Sequence, residues 1–427
     1  MNVADSQRVA STLEQMGYEP SAQVETTDLI VLNTCVVRQS AEDKAYSWLS
    51  SLRSLKKNNP NLVINLMGCL VGIKSNDKLK ERFPVVDVFS PPSDLSPLRA
   101  YLLQKESEAL DQGETQHRFA FMDSGFRLPA KDLDHLVAGY IPIVYGCSHA
   151  CSFCIIPYRR GIERSRPSSE ILEEALSMVT QGVREITLLG QIVDRYGKDM
   201  PGSPTLASLL RMLNEIEGLV RIRFLTSHPN WLTDELLDAI AELPKVCPHI
   251  EVPVQAGDDQ VLENMKRNYT TEDYIRLVSK IRQRIPGVSI ATDIIVGFPG
   301  ETEEQFQRTY DLLKELRLDV THLARYSTRP GTLAARKLTD NVSKEEKMRR
   351  FRLLEEMQEK ISAEINAGYL GRQVPVLFEQ KLKGRWKGRT PTNKLVFVET
   401  EKNLHGEVHQ VTVNQAGAWS MQAELEN

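Results

Sequence analysis

Two hydrophobic periods alternate over the first hundred residues. A polar helical stretch, Asp5–Met16, leads to an apolar run over Asp28–Asn33; a second, Ala41–Lys57, leads to Asn61–Leu66, and Val85–Phe89 follows. Short apolar runs separated by helix-length segments predict a parallel sheet. In such sheets functional groups collect just beyond the carboxyl ends of strands, and Cys35 and Cys69 both fall there. Two ordinary buried thiols are the alternative.

Periodicity fades between Leu103 and Leu136, which predicts a first domain over 1–103 and a linker over 104–135. Strand-like runs then recur at Tyr140–Val144, Glu185–Leu189, Arg221–Leu225, His249–Val254, Ser289–Val296 and His322–Tyr326, with helical segments between them. These βα units predict a full or partial TIM-like barrel within 136–366. That span includes a long helix opening at Ser343-Lys-Glu-Glu346, with Met348, Phe351, Leu354, Met357, Ile361 and Ile365 on its apolar face. Short alternating strands punctuated by glycine predict a small all-β barrel over 367–427. The fold class is α/β with an all-β tail.

Composition narrows the functions. The chain has 427 residues, 41% hydrophobic and 26% charged, as in a folded multidomain protein. No apolar stretch approaches the ~20 residues of a membrane helix, so no membrane association is expected and the cytoplasm is the expected location. With 53 basic and 57 acidic residues the net charge is −4, so any nucleic-acid binding must come from local patches. Lys381, Lys383, Arg385, Lys387 and Arg389 occupy alternate positions; on a single strand they would share one face suited to a phosphate backbone, or form an ordinary solvated face. Arg159, Arg160, Arg164 and Arg166 make a second patch, unless they pair with acidic core groups.

Three of the six cysteines stand close together, as Cys147-x-x-x-Cys151-x-x-Cys154 after the first barrel strand. Three thiolates on one loop hold three irons of a 4Fe-4S cube and leave the fourth open to another ligand. A structural zinc site is the alternative, but it calls for four ligands and only His149 lies nearby. Cys247, alone, reads as a core thiol.

The cysteine loop, with Phe153 before its last cysteine, resembles the radical S-adenosylmethionine superfamily. Val144-Tyr-Gly-Cys147, Glu163-Arg-Ser-Arg166, Leu188-Leu-Gly-Gln191, Thr226-Ser-His-Pro229, Thr292-Asp-Ile-Ile-Val-Gly-Phe-Pro-Gly-Glu301 and Tyr326-Ser-Thr-Arg-Pro-Gly-Thr332 resemble, in order and spacing, its methylthiotransferases. The resemblance spans nearly the whole chain, including an N-terminal methylthiotransferase domain and a C-terminal TRAM domain. Thr-Ser-His-Pro and Gly388-Arg-Thr-Pro-Thr-Asn-Lys394 are most similar to the branch that makes 2-methylthio-isopentenyladenosine in tRNA. Branches acting on threonylcarbamoyl-adenosine in tRNA or on a ribosomal-protein aspartate stay open, as does a non-catalytic iron–sulfur RNA-binding protein.

The resemblance implies S-adenosylmethionine on the Cys147/Cys151/Cys154 cluster, with Phe153 beside its adenine and Gln191, Ser227 and Gly297 toward the cofactor, although the glycine also suits a turn. It implies a second 4Fe-4S cluster on Cys35, Cys69 and a third cysteine from a Gly-Cys-Gln-Met-Asn sequence. The chain opens Met1-Asn2, the last two residues of that motif, so the third ligand is expected upstream of Met1 and the first domain reads as N-terminally truncated, by a start site placed some residues too late, with a truncated or altered protein as the alternative. Where the family has Gln-Asn-Val-Asn, this chain has Gln191-Ile-Val-Asp194. The implied partners are tRNA and an electron donor such as a flavodoxin-type protein, and the protein is read as a monomer.

Overall fold

The computed structural model describes residues 1–74, 77–109 and 126–426, and divides them between two compact units. The first comprises Met1–Leu133, Tyr145–His149 and Cys154–Arg164; the second comprises Asp134–Val144, Ala150–Phe153 and Ser165 onward. The cysteine loop is thus shared: two of its stretches belong to the first unit, which a single cut near residue 136 does not anticipate. The helix Ser96–Ala109 runs past the expected start of the linker at 104, and residues 110–125 of that linker lie outside the described residues. No described helix is long and apolar enough to cross a membrane.

In the first unit, β1 (Leu29–Thr34), β2 (Val63–Gly68) and β3 (Val88–Ser90) form a parallel sheet in that order. Leu49, Leu52, Leu62, Ile64, Leu66 and Phe83 build its main core, which Cys69 and Ile155 join. On a smaller core, Met16 at the end of the helix Asn2–Gln15 packs with Val88, Leu98 and Leu102. Gly68 closes β2 at φ +99°, where a Cβ would lie 2.5 Å from the Thr34 carbonyl oxygen. Only glycine lets the two strand ends approach this closely.

In the second unit, β4 (Ala138–Pro142), β7 (Glu185–Leu189) and β8 (Arg221–Leu225) form one parallel sheet. A second contains β9 (His249–Glu251), β10 (Ser289–Val296) and β11 (Val320–Arg325). The two-residue strands β5 (Val144–Tyr145) and β6 (Arg164–Ser165) fall between β4 and β7 in the chain. Hydrogen bonds Ile222 N→Lys245 O, Cys247 N→Ile222 O and Ser227 N→Glu251 O join the two sheets into a six-stranded parallel partial barrel. Threonine side chains cap the helices that follow its strands, at Thr205, Thr233, Thr270 and Thr302.

The helix Lys344–Ala367 begins as expected at Ser343, but its buried side is rotated in the first turns. Lys347 and Arg350 are buried there, on Asp340 (2.6 Å) and Glu301 (2.8 Å), while Met348 and Phe351 are only half-buried. Ion pairing thus takes over the face that periodicity assigns to apolar residues; Leu354, Met357 and Ile361 continue it. The tail closes as a five-stranded barrel: β12 (Gln373–Leu382), β13 (Arg385–Arg389), β14 (Leu395–Glu399), β16 (Met421–Leu425) and β15 (Val408–Ala416), around Val376, Phe378, Trp386, Val398 and Val411. Its turn after β13, with the start of β12, meets the starts of β8 and β11. Arg221 donates to the Arg389 and Pro375 carbonyls, Arg223 donates to those of Thr390 and Pro391, and Lys394 pairs with Asp319 at 2.6 Å.

Candidate functional site

The three-cysteine loop starts at Gly146, with φ +68°, where a Cβ would collide with the Ile162 carbonyl. The Cys147 amide donates to Gly161 O (3.0 Å) and the Glu163 amide to Ser148 Oγ (3.0 Å), so the loop's beginning is fastened to its return. Cys147 is buried; Cys151 and Cys154 are half-exposed. In the second unit, Ser152 anchors its stretch of the loop by donating from N to Met265 O (3.0 Å) and from Oγ to Asn264 O (2.7 Å).

That anchor brings up a residue that sequence reasoning missed. Arg267 donates from Nη1 to Cys151 Sγ at 3.2 Å, from Nε to Tyr269 Oη at 2.9 Å and from Nη2 to Pro253 O at 3.1 Å. Burial pulls the guanidinium pKa down, while the Tyr269 oxygen and the Cys151 sulfur push it up, and the net shift is upward. The contact spans 116 positions, and Lys266-Arg267-Asn268-Tyr269 carries no local mark of it.

Of the expected cofactor contacts, Phe153 and Gln191 are half-exposed. Ser227 is buried at the end of β8, and its Oγ has no hydrogen-bond partner among the described residues. Gly297, with φ +71°, follows β10, but the group its missing Cβ admits is the Lys347 side chain, and its amide donates to Glu301 Oε2 at 2.6 Å. Its glycine therefore serves packing within the chain. Sequence reasoning also missed Glu251, Asp293 and His322, which point the same way from β9, β10 and β11, with ligand atoms within 4.8 Å of one another. Thr226 Oγ1 donates to Glu251 at 3.0 Å.

The first unit brings Cys35 and Cys69 together. The Cys69 amide donates to Thr34 O (3.0 Å), the Leu70 amide to Thr34 Oγ1 (3.2 Å), and that hydroxyl to Met67 O (2.7 Å). Arg160 donates to Cys69 Sγ at 3.3 Å, to Asn2 Oδ1 at 3.0 Å and to Ser93 Oγ at 3.2 Å, and pairs with Asp5 at 3.3 Å. Burial pushes the Cys69 thiol up and Arg160 opposes it.

The two basic patches differ from their expected form. Arg160 is buried on Asp5, and Arg166 pairs with Glu174 at 2.7 Å and Glu170 at 3.6 Å, so both are committed inside their units. Arg159 is half-buried, reaching Leu70 O at 3.5 Å; Arg164 is exposed, near the Tyr145 ring. The run Lys381–Arg389 is not one strand. Lys383 and Gly384, both at positive φ, turn it into a hairpin. Arg385, Lys387 and Arg389 alternate with the inward Trp386 and Gly388, whereas Lys381 lies opposite Trp386 in register and pairs with Glu401 at 3.2 Å. Glu379 lies between Lys387 (3.4 Å) and Arg389 (3.6 Å) and offsets part of the patch.

A six-stranded parallel partial barrel with a three-cysteine loop after its first strand defines the class: residues 141–313 match the Radical SAM superfamily, and residues 1–90 match Uncharacterized protein family UPF0004. The fold is similar to that of the radical S-adenosylmethionine methyltransferase TsrM from Kitasatospora setae, with a TM-score of 0.53 at 16% identity over 76% of this chain and 68% of that one. Proteins named tRNA-2-methylthio-N(6)-dimethylallyladenosine synthase are similar over its full length. That of Roseiflexus sp. is 46% identical over 100% of this chain and 87% of its own, and that of Herpetosiphon aurantiacus 45% over 100% and 95%. The chain belongs to the tRNA-2-methylthio-N(6)-dimethylallyladenosine synthase family.

Proposed function

We propose that this transferase attaches a methylthio group to carbon 2 of N6-dimethylallyladenosine in tRNA, in the cytoplasm. The observation that carries the reading is 41–46% identity across the whole chain to synthases of that name. The family implies a 4Fe-4S cluster and S-adenosylmethionine. The residues present fit them: three thiols share one loop, a buried guanidinium beside Cys151 calls for negative charge, and the orphaned Ser227 hydroxyl calls for a partner. Bound together on Cys147, Cys151 and Cys154, the two groups supply one-electron cleavage of a sulfonium. Phe153 offers the cofactor an apolar surface and Ser227 a hydrogen-bonding group; Gln191 lines the same end.

Cys35 and Cys69 supply two thiolates to a second cluster, with Thr34 fixing the separation of the strand ends that carry them. Lys383, Arg385 and the partly offset Lys387 and Arg389 bind tRNA phosphates, with Arg159 and Arg164 as further cations and Lys381 at the edge. A flavodoxin-type protein delivers electrons, and the protein acts as a monomer. The test is nucleoside analysis of tRNA from a strain lacking the gene, against the complemented strain. The methylthio form of dimethylallyladenosine should vanish; its persistence, or loss of a methylthio group from threonylcarbamoyl-adenosine instead, overturns the reading.

A further inference from the structure

Arg267 is 5% exposed, and among the described residues it forms no ion pair with a carboxylate. A buried guanidinium without a counter-charge is strongly unfavourable. Its acceptors are the neutral Pro253 carbonyl, Tyr269 Oη and Cys151 Sγ. Burial pushes the Tyr269 hydroxyl up to about 12, so it stays neutral. Cys151 is therefore the bonded neighbour through which a bound iron–sulfur cluster would bring negative charge to the guanidinium.

We infer that Arg267 is a positioning residue that raises the reduction potential of the iron–sulfur cluster through a charge-assisted N–H···S bond to Cys151. The inference rests on the reading that Cys147, Cys151 and Cys154 hold that cluster. Reduction adds one electron to the cluster, so a fixed positive charge and an N–H donor on a ligand sulfur stabilise the reduced state more than the oxidised one. The geometry suits this role. The planar guanidinium is held on three acceptors at once, two of them outside the loop, so its charge cannot swing away when the cluster changes state.

The test is a redox titration of the full chain, reconstituted anaerobically with iron and sulfide and followed by electron paramagnetic resonance, without S-adenosylmethionine. A C35S/C69S background isolates the signal of one cluster. R267M should make reduction at least about tenfold less favourable, which is 59 mV for a one-electron couple. R267K keeps the charge but loses the planar fork, and should shift the midpoint the same way by less; it carries the test alone if R267M does not fold. An unchanged midpoint in either folded variant holding about four irons overturns the inference. So does an unchanged midpoint with weakened S-adenosylmethionine binding, which would assign the guanidinium to the cofactor's carboxylate. If C151A binds as much iron as its parent and gives the same signal, it is the cluster reading itself that fails.

Discussion

Arg160 and Arg267 are both buried, and each donates to a cysteine sulfur, but they are balanced differently. Arg160 has a carboxylate, Asp5, and shares its remaining donors among Asn2, Ser93 and Cys69. Among the described residues Arg267 has none, and its side-chain acceptors are Tyr269 and Cys151. Where a carboxylate is present, the guanidinium is already balanced before the sulfur contributes, and burial pushes the Cys69 thiol up while Arg160 opposes it. Where it is missing, a cluster held by the sulfur would bring the balancing negative charge. The two arginines thus differ in how much of their charge is left for the sulfur they touch.

The widest separation between the two sites should appear on deleting their sulfurs. C147A, C151A or C154A should abolish release of 5′-deoxyadenosine from S-adenosylmethionine, since each removes one of three protein ligands, whereas C69A should leave that cleavage in place and stop methylthiolation. Cleavage by a C151A protein would erase the distinction. Next in size is removal of the carboxylate. D5N leaves Arg160 buried without a charge partner and should destabilise the first unit by ~3 kcal/mol, read from its urea midpoint; R160M in the same chain should recover part of the loss. Equal midpoints for D5N and the parent would show that Arg160 needs Asp5 no more than Arg267 needs a carboxylate.

His249 illustrates a third solution, a buried base kept neutral. Burial, with Arg223 nearby, lowers its pKa to about 3, and its ring meets Ser289 and Asn393. Between that value and the unfolded ~6.5, the unfolded chain binds a proton that the folded chain refuses. Stability is therefore full above about pH 6.5 and falls with acid, at up to ~1.4 kcal/mol per pH unit. H249N should flatten that dependence, and an identical acid profile would reassign it to other groups. The smallest expected effect lies in the tail. K383A/R385A/K387A should flatten the log–log salt slope of tRNA binding by only about one to two units, at ~0.7–0.9 per contact, because Glu379 already occupies Lys387. E379Q should tighten binding a few-fold, and no change would remove this hairpin from the tRNA surface.

The six barrel strands and the cysteine loop were legible because they are local: apolar runs of strand length, and three thiols within eight positions. The Arg267–Cys151 bond was not, because its partners are far apart in the chain and arginine carries no periodic signal of burial. Arg160 stands in the sequence as either a phosphate contact or the partner of a buried acid for the same reason; a basic residue near a functional loop looks alike in sequence whether it faces solvent or Asp5. The hairpin at Lys383-Gly384 was hidden by the regular alternation of charges across it: the cations keep odd positions in sequence, whereas the two-residue turn pairs Leu382 with Arg385 and sets Lys381 opposite Trp386. Ser227 lay in a stretch already marked by its motif, but its empty hydrogen-bonding capacity belongs to three-dimensional packing alone.

The turn after β13 has a consequence for anyone recombining this protein. Arg221 and Arg223 direct their guanidinium groups at carbonyls of Pro375, Arg389, Thr390 and Pro391, and Asp319 is matched to Lys394. Cutting the chain after the long helix would leave two arginines facing one another's charge over Glu185 and a lone aspartate, at the foot of the very strands that carry the chemistry. The tail is therefore unsuited to exchange as a cassette: a graft onto another catalytic core, or a replacement here, has to bring its own carbonyl-lined turn in register, or else both arginines must be redesigned with it.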